Sequence, residues 1–263
     1  MEGENRNIHP HPNPLPSRER GKDVDINMNT NNTVLKTEGL SKYYNPKRPE
    51  EVRALRDVSI EINSRKITII SGPSGSGKTT LISILGAIDR PTGGHVFLHE
   101  EELTALSDEA LALIRRNKIG FIFQDFNLLP RLAAWENVAY PLIPIVYKEK
   151  ERKERAVVLL ERLGLGKRIN HTPEEMSGGE QQRVAIARAL VNNPEILIAD
   201  EPASNIDAKA IENLIAILVD LKNKGMTIVV STHDDAFYPY ADVRINLKDG
   251  VLAGIEHNNG GRI

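Results

Sequence analysis

Gly72-Pro73-Ser74-Gly75-Ser76-Gly77-Lys78-Thr79 is the stretch from which the rest of the 263-residue chain is read. Its spacing is G-x-x-x-x-G-K-[ST]. Residues 66–71 (KITIIS) read as a buried strand leading into it, and residues 79–88 (TTLISILGAI) as a helix leading out. Strand, glycine-rich turn and helix start, in that order, make a phosphate cradle. The glycines let successive backbone N–H groups turn toward one anion, and the helix start adds unpaired donors and the positive end of its dipole. Lys78 supplies a compact cation for β- and γ-phosphates, and Thr79 a hydroxyl for Mg²⁺.

Composition narrows the class. Apolar residues make up 40% of the chain and the net charge is −2, which suits a buried core and not the basic surface of a nucleic-acid binder. The absence of cysteine excludes disulfides, thiolate catalysis and cysteine metal sites, and fits a reducing compartment. No apolar run reaches the roughly 18–20 residues that span a bilayer. The most apolar stretch outside the strands, 138–147, is short and holds two prolines. The first residues lack the apolar centre of a signal peptide. The expectation is a cytoplasmic protein that meets a membrane only through partners. Residues 1–33 are rich in Asn, Pro, Arg and Glu without hydrophobic period, and are expected to be a disordered tail. His9 and His11 fall in this tail and are not read as a metal pair. Met28 is a candidate start a few residues before order sets in.

Residues 34–40 and 52–62 alternate apolar and polar and read as strands of an antiparallel sheet, with Ser41-Lys42-Tyr43-Tyr44 between them. One of these tyrosines could stack on an adenine ring, although packing is the commoner use of a tyrosine pair. Residues 95–98 form another strand. Ser107 caps a helix that opens on Asp108-Glu109 and closes on Arg115-Arg116. Residues 118–123 (KIGFIF) are a buried strand ending at Gln124. From 125 to 176 the pattern is helical, with a short helix over 134–140 and a longer one over 149–163, and reads as a lobe inserted into the core. A strong amphipathic helix covers 177–193. Buried strands follow at 195–199 and 226–231, around a helix over 208–223 capped by Asp207. A hairpin at 243–247 and 251–255 precedes a tail at 257–263.

Short apolar strands alternating with helices imply a mostly parallel sheet covered on both faces, with ligands at the carboxyl ends of its strands. Gly72, Gln124, Asp200 and His233 each follow such a strand end and should converge on one nucleotide. Asp200, after ILIA, is placed to hold the Mg²⁺ shell. Glu201 can act as general base on the attacking water, Gln124 can touch both metal shell and water, and His233 can bond the γ-phosphate. Ser177-Gly178-Gly179-Glu180-Gln181 is a second glycine-bearing helix start. A chain with one phosphate loop has no internal use for it, so its economical role is to bind the γ-phosphate held by another copy.

These residues resemble the nucleotide-binding subunit of an ATP-binding cassette transporter over residues 34–256. GPSGSGKT is similar to the Walker A motif, which implicates Gly72, Pro73, Ser74, Gly75, Ser76, Gly77, Lys78, Thr79 and Thr80. ILIADE is similar to Walker B. Gln124 matches the Q-loop, and Met176 to Glu180 resemble the LSGGQ signature. Ser204-Asn205-Ile206-Asp207 looks like the D-loop, His233 matches the switch histidine, and Tyr44 the adenine-stacking aromatic. The resemblance implies an α/β fold: a P-loop NTPase core with an antiparallel β subdomain and an inserted helical subdomain. It also implies a head-to-tail dimer with two ATPs, each between Walker A of one copy and Ser177 and Gly179 of the other. The helical lobe and Q-loop would receive a helix from a separate permease. RRNKIGFIFQDFNLLPRL and WENVAYPL resemble the branch that serves FtsX-like permeases in lipoprotein release and macrolide export.

The sequence departs from the family pattern at Met176, Glu180, Ala203 and Asn205, the last standing where a small residue is usual. Nothing essential to hydrolysis is missing, so a competent ATPase is expected. Two alternatives stay open at this stage. One is a regulatory ATPase on a cell-division-type permease. The other is a non-transport cassette of DNA repair or translation, against which the roughly fifty residues between Gln124 and the signature leave no room for a long coiled coil.

Overall fold

The computed structural model describes residues 32–258. The segment 1–31, with His9, His11 and Met28, and residues 259–263 lie outside the described residues. Residues 32–258 lie within one compact unit. Its regular elements are β1 (Thr33–Tyr44), β2 (Val52–Asn63), β3 (Ile67–Ser71), α1 (Lys78–Leu85), β4 (Gly93–Leu98), β5 (Glu101–Glu102), α2 (Asp108–Asn117), β6 (Ile119–Ile122), α3 (Ala134–Ala139), α4 (Glu149–Arg162), α5 (Gly178–Leu190), β7 (Ile196–Asp200), α6 (Ala208–Asn223), β8 (Thr227–Ser231), β9 (Val243–Lys248) and β10 (Val251–His257).

The larger sheet has the order β10-β9-β3-β8-β7-β6. All its pairings are parallel except the hairpin of β9 and β10. β3, β7 and β8 are buried at every position, which is why they read as continuous apolar runs: both faces are covered, so no face needs polar residues. The order sets the parallel strands β3, β8 and β7 side by side, so Gly72, Asp200 and Thr232 all lie at the carboxyl end of the sheet. The smaller sheet is antiparallel, in the order β2-β1-β4-β5. Its apolar face joins one side of the larger sheet around α1, where Leu81, Ile82 and Leu85 are fully buried. Each such side chain contributes about 1.5–3 kcal/mol relative to exposure. The other side of the larger sheet packs on α5 and α6 through Ile186, Leu214 and Leu218.

Several element bounds differ from the sequence expectation for identifiable reasons. β1 does not stop at residue 40: it runs through Tyr43 and Tyr44, which pair with Arg53 and Val52. Register shifts near residues 37–43 break the alternation that would have shown this. α1 ends at Leu85, because Gly86 caps it and Ala87 turns to φ 55°. The chain beyond α3 continues as a 3₁₀ turn, Tyr140–Leu142, through Pro141, whose missing N–H is not needed at a helix start. β5 and the 3₁₀ helix Asp235–Tyr240 carry no periodic signal. The helical region has its own apolar core from α3, the 3₁₀ turn after it and α4, including Val138, Leu142 and Leu160. That core is closed by Val184 and Ala187 of α5, so α5 serves both this core and the larger sheet.

Candidate active site

The phosphate loop is built by two close approaches. Gly77 caps α1 at φ 99°, and a Cβ there would lie 2.5 Å from the Ala54 carbonyl oxygen. Only glycine fits both the dihedral and the space. No side chain caps α1, and its first turn holds no acidic residue. The loop faces solvent at Pro73, Ser74, Gly75 and Thr79, whereas Ser76 and Lys78 are buried. Lys78 Nζ donates to the carbonyls of Gly72 (2.9 Å) and Pro73 (3.3 Å) and lies 3.4 Å from Glu201 Oε1.

β7 delivers the two carboxylates. Asp200 Oδ1 accepts from Thr79 Oγ1 at 3.3 Å and from Ser231 Oγ at 2.5 Å. Burial pushes the Asp200 carboxyl above its ordinary range, against these two bonds, which act to lower it. Glu201 sits in the left-handed region at φ 43°, a conformation uncommon for a residue with a side chain and one that concentrates at functional sites. Its backbone N–H bonds the Ser231 carbonyl at 3.0 Å and the Ser231 hydroxyl at 3.1 Å. Its carboxylate shares a 3.0 Å hydrogen bond with Nδ1 of His233, which is 69% exposed and so free to meet a ligand.

Tyr44, 39% exposed, donates from its hydroxyl to Asp89 at 3.2 Å. Lys42 also bonds Asp89, at 2.7 Å, and lies 4.9 Å from the Tyr44 ring centre. Burial works to raise the Asp89 carboxyl, but the bonds from Lys42, the Arg90 amide and Tyr44 together hold it below its usual range.

Gln124 is exposed after β6. Its contact with the rest of the site runs through its backbone carbonyl, which accepts from Asn205 Nδ2 at 3.1 Å; the same amide lies 3.3 Å from Asp125 Oδ1. Arg188 of α5 donates to the carbonyls of Phe126 and Asn127, both residues in the left-handed region. The sequence reading gave Asn205 only as part of the D-loop stretch and as a departure within it, and did not single out Arg188 or Ser231. The polar residue ending the buried run TIVVS was the available signal for Ser231.

Ser177, Gly178, Gly179 and Glu180 form a separate group, and none of their hydrogen bonds reaches the phosphate loop. Ser177 Oγ accepts from Glu180 N at 3.3 Å, while the Glu180 carboxylate accepts from Ser177 N at 3.0 Å and from Arg168 at 2.8 Å. The backbone bond from Ser177, then the Arg168 bond, hold the Glu180 carboxyl below its usual range. A Cβ on Gly178 would lie 2.7 Å from the Asn205 carbonyl, so the helix start packs directly on the loop before Asp207. Asp207 caps α6 through Ala210 N at 2.8 Å.

The ABC transporter family profile matches residues 55–204, which hold both the loop and the two carboxylates. The chain belongs to the ABC transporter family. It is the ATP-binding subunit, an ATPase that converts ATP to ADP and phosphate. This ABC ATPase is 49% identical over 206 residues to an ABC transporter ATP-binding protein of Thermotoga maritima, a match covering 78% of this chain and 88% of that one. It is 44% identical over 224 residues to the macrolide export ATP-binding/permease protein MacB of Bdellovibrio bacteriovorus. That match covers 85% of this chain but 34% of the relative, so the chain spans about a third of MacB. Among solved structures it resembles the dimeric ATP-binding cassette MJ0796 in a post-hydrolysis state bound to ADP and Pi. The TM-score is 0.80 and the identity 41%, covering 86% of this chain and all of that one.

A cavity of about 1160 Å³ beside Leu159, Leu163, Leu190, Ile217 and Met226 holds none of the residues read as the site. Position at the strand ends, not cavity size, therefore locates the chemistry.

Proposed function

We propose that two copies of this ABC ATPase close head to tail over two ATPs and drive a separate membrane permease of the FtsX-like kind. The observation that carries the catalytic part is the convergence of Lys78, Thr79, Asp200, Glu201 and His233 within one connected set of polar contacts. The phosphate loop and Lys78 hold the β- and γ-phosphates, and Tyr44 stacks on the adenine. Glu201 takes the proton of the attacking water, and His233 bonds the γ-phosphate. The dimer places Ser177 and Gly179, with Gly178, Glu180 and Asp207, against the partner's ATP.

A hydroxyl and a carboxylate, Thr79 and Asp200, meet at 3.3 Å, which is the hard-oxygen donor chemistry Mg²⁺ prefers. Among the described residues no group of three or more His, Cys, Asp or Glu forms a metal site, in keeping with an ion held mainly by phosphates and few protein ligands. Thr79, Asp200 and Gln124 would hold it. Bound there, Mg²⁺ neutralises charge on the phosphates.

Among the described residues no helix is long and apolar enough to cross a membrane. In this reading the separate permease supplies the membrane part and holds the ATPase at the cytoplasmic face. A groove lined by Ile88, Phe121, Phe123, Tyr140, Pro141 and Arg188 receives the permease, and Ile88 and Tyr140 are about half exposed in it. Similarity to MacB favours an export or lipoprotein-release role.

The test is Glu201→Gln. Steady-state turnover should fall by roughly 10²–10⁴, the loss of a general base, while ATP binding persists and the dimer is trapped on a sizing column. Unchanged turnover would sink the assignment. A pull-down with that variant and ATP from native membranes should bring down a four-helix permease with a large extracytoplasmic domain. Recovery of ribosomes or repair proteins alone would overturn the transport role.

A further inference from the structure

We infer that Ser231 is a positioning residue for hydrolysis, its single hydroxyl tying the carboxylate of Asp200 to the backbone of Glu201. Ser231 is the last residue of β8 and is fully buried. It pairs in register with Asp200 across the parallel ladder. From there its Oγ donates to Asp200 Oδ1 at 2.5 Å and accepts from Glu201 N at 3.1 Å. One rotor therefore satisfies both neighbours, donating to one and accepting from the other. A hydroxyl has this capacity and a methyl lacks it.

Two features give the bridge consequences beyond filling space. Glu201 is held at φ 43°, and a non-glycine residue persists there only when its surroundings over-determine it. The Ser231 carbonyl and hydroxyl are the two acceptors that hold its N–H. Asp200 takes its other side-chain bond from Thr79 at the start of α1. Thr79, Asp200, Ser231 and Glu201 thus form one hydrogen-bonded chain from the phosphate loop to the carboxylate 3.4 Å from Lys78. Without the hydroxyl, Asp200 and Glu201 lose their shared reference point, and a small misplacement of a general base is costly to rate. Ser231 is fully buried and its hydroxyl bonds Asp200 and Glu201, so it acts through those two. The inference rests on the proposed roles of Asp200 and Glu201.

The experiment compares Ser231→Ala, Ser231→Thr and Glu201→Gln in the full chain, measuring kcat and KM for ATP, with thermal melting to verify folding. Ser231→Ala should lower kcat about tenfold, the scale of one hydrogen bond to a charged group, with KM within about twofold of the parent. Ser231→Thr, which keeps the hydroxyl, should restore most of kcat. If the added methyl prevents folding, Ser231→Cys takes its place as a donor of similar size. A parent-like kcat in Ser231→Ala, a loss in KM alone, or equal loss in the variants that keep a donor would overturn the inference. Glu201→Gln separates the two levels. Slow Glu201→Gln with parent-like Ser231→Ala sinks the bridge and spares the site, whereas normal turnover in Glu201→Gln sinks the reading of the site itself.

Discussion

The helix starts at Lys78 and at Gly178 both lie in stretches that hold serine and glycine, yet their backbone donors are arranged differently. α1 begins without a side-chain cap or an acidic residue in its first turn, and it carries Lys78 into the loop. α5 begins with a reciprocal cap: Ser177 accepts from Glu180 N, and Glu180 accepts from Ser177 N. The first start leaves its backbone donors without a side-chain cap and sets a buried cation, Lys78, among the Gly72 and Pro73 carbonyls and Glu201. The second already bonds one donor internally and holds a carboxylate, balanced by Arg168. A helix dipole favours an anion at either start, but the carboxylate at the second already occupies that role. The difference teaches that glycine content alone does not make an anion site, and that the second start is suited to complete a site rather than to be one.

Three variants would break or sharpen this contrast. Lys78→Ala removes the cation from the self-sufficient start. Turnover should fall by roughly 10²–10³, the loss typical of one preorganised electrostatic contact, and ATP binding to the single subunit should weaken in a filter or fluorescence assay. Ser177→Glu adds charge and bulk at an exposed position. It should abolish the turnover that depends on the dimer while leaving ATP binding by the single subunit intact; parallel losses of both would erase the distinction. The smallest effect belongs to Glu180→Gln, which keeps an acceptor for Ser177 N but removes the charge paired with Arg168. Turnover should stay within about threefold. The folded carboxyl is held low, so its contribution to stability is present above the unfolded carboxylate value and is lost as pH falls through the lower folded one. The melting-temperature gap between the parent and Glu180→Gln should therefore be open at pH 7 and close below about pH 4.5. A gap independent of pH would show that the charge plays no part.

The same contrast shows where sequence reading reached and where it stopped. The phosphate loop was legible because its chemistry is contiguous: eight residues carry the turn, the cation and the hydroxyl. Asp200 and Glu201 were legible because two carboxylates directly follow the apolar run ILIA, and β7 closes on the first of them. The ATPase and the mostly parallel sheet followed from such strand ends. The extension of β1 to Tyr44 was hidden by its register shifts. The sheet order, which sets Ser231 beside Asp200, is a long-range fact that no local pattern encodes. Asn205 stood out in sequence as an oddity, but its bond to the Gln124 carbonyl needs the loop after β6 and the loop before α6 to be brought together. α5 falls outside the helical lobe read over 125–176, yet its Val184 and Ala187 close that region, because a helix can offer different faces to two neighbours.

The central claim is that each active site is shared between two copies, and mixing the two disabled chains tests it most directly. Lys78→Ala and Ser177→Glu should each be nearly inactive alone. In a mixed dimer, one site combines the intact phosphate loop of the Ser177→Glu chain with the intact Ser177 of the Lys78→Ala chain. The account predicts that an equimolar mixture hydrolyses ATP well above the sum of the two alone. A mixture no faster than that sum, with mixed dimers demonstrated by differently tagged chains, would contradict it.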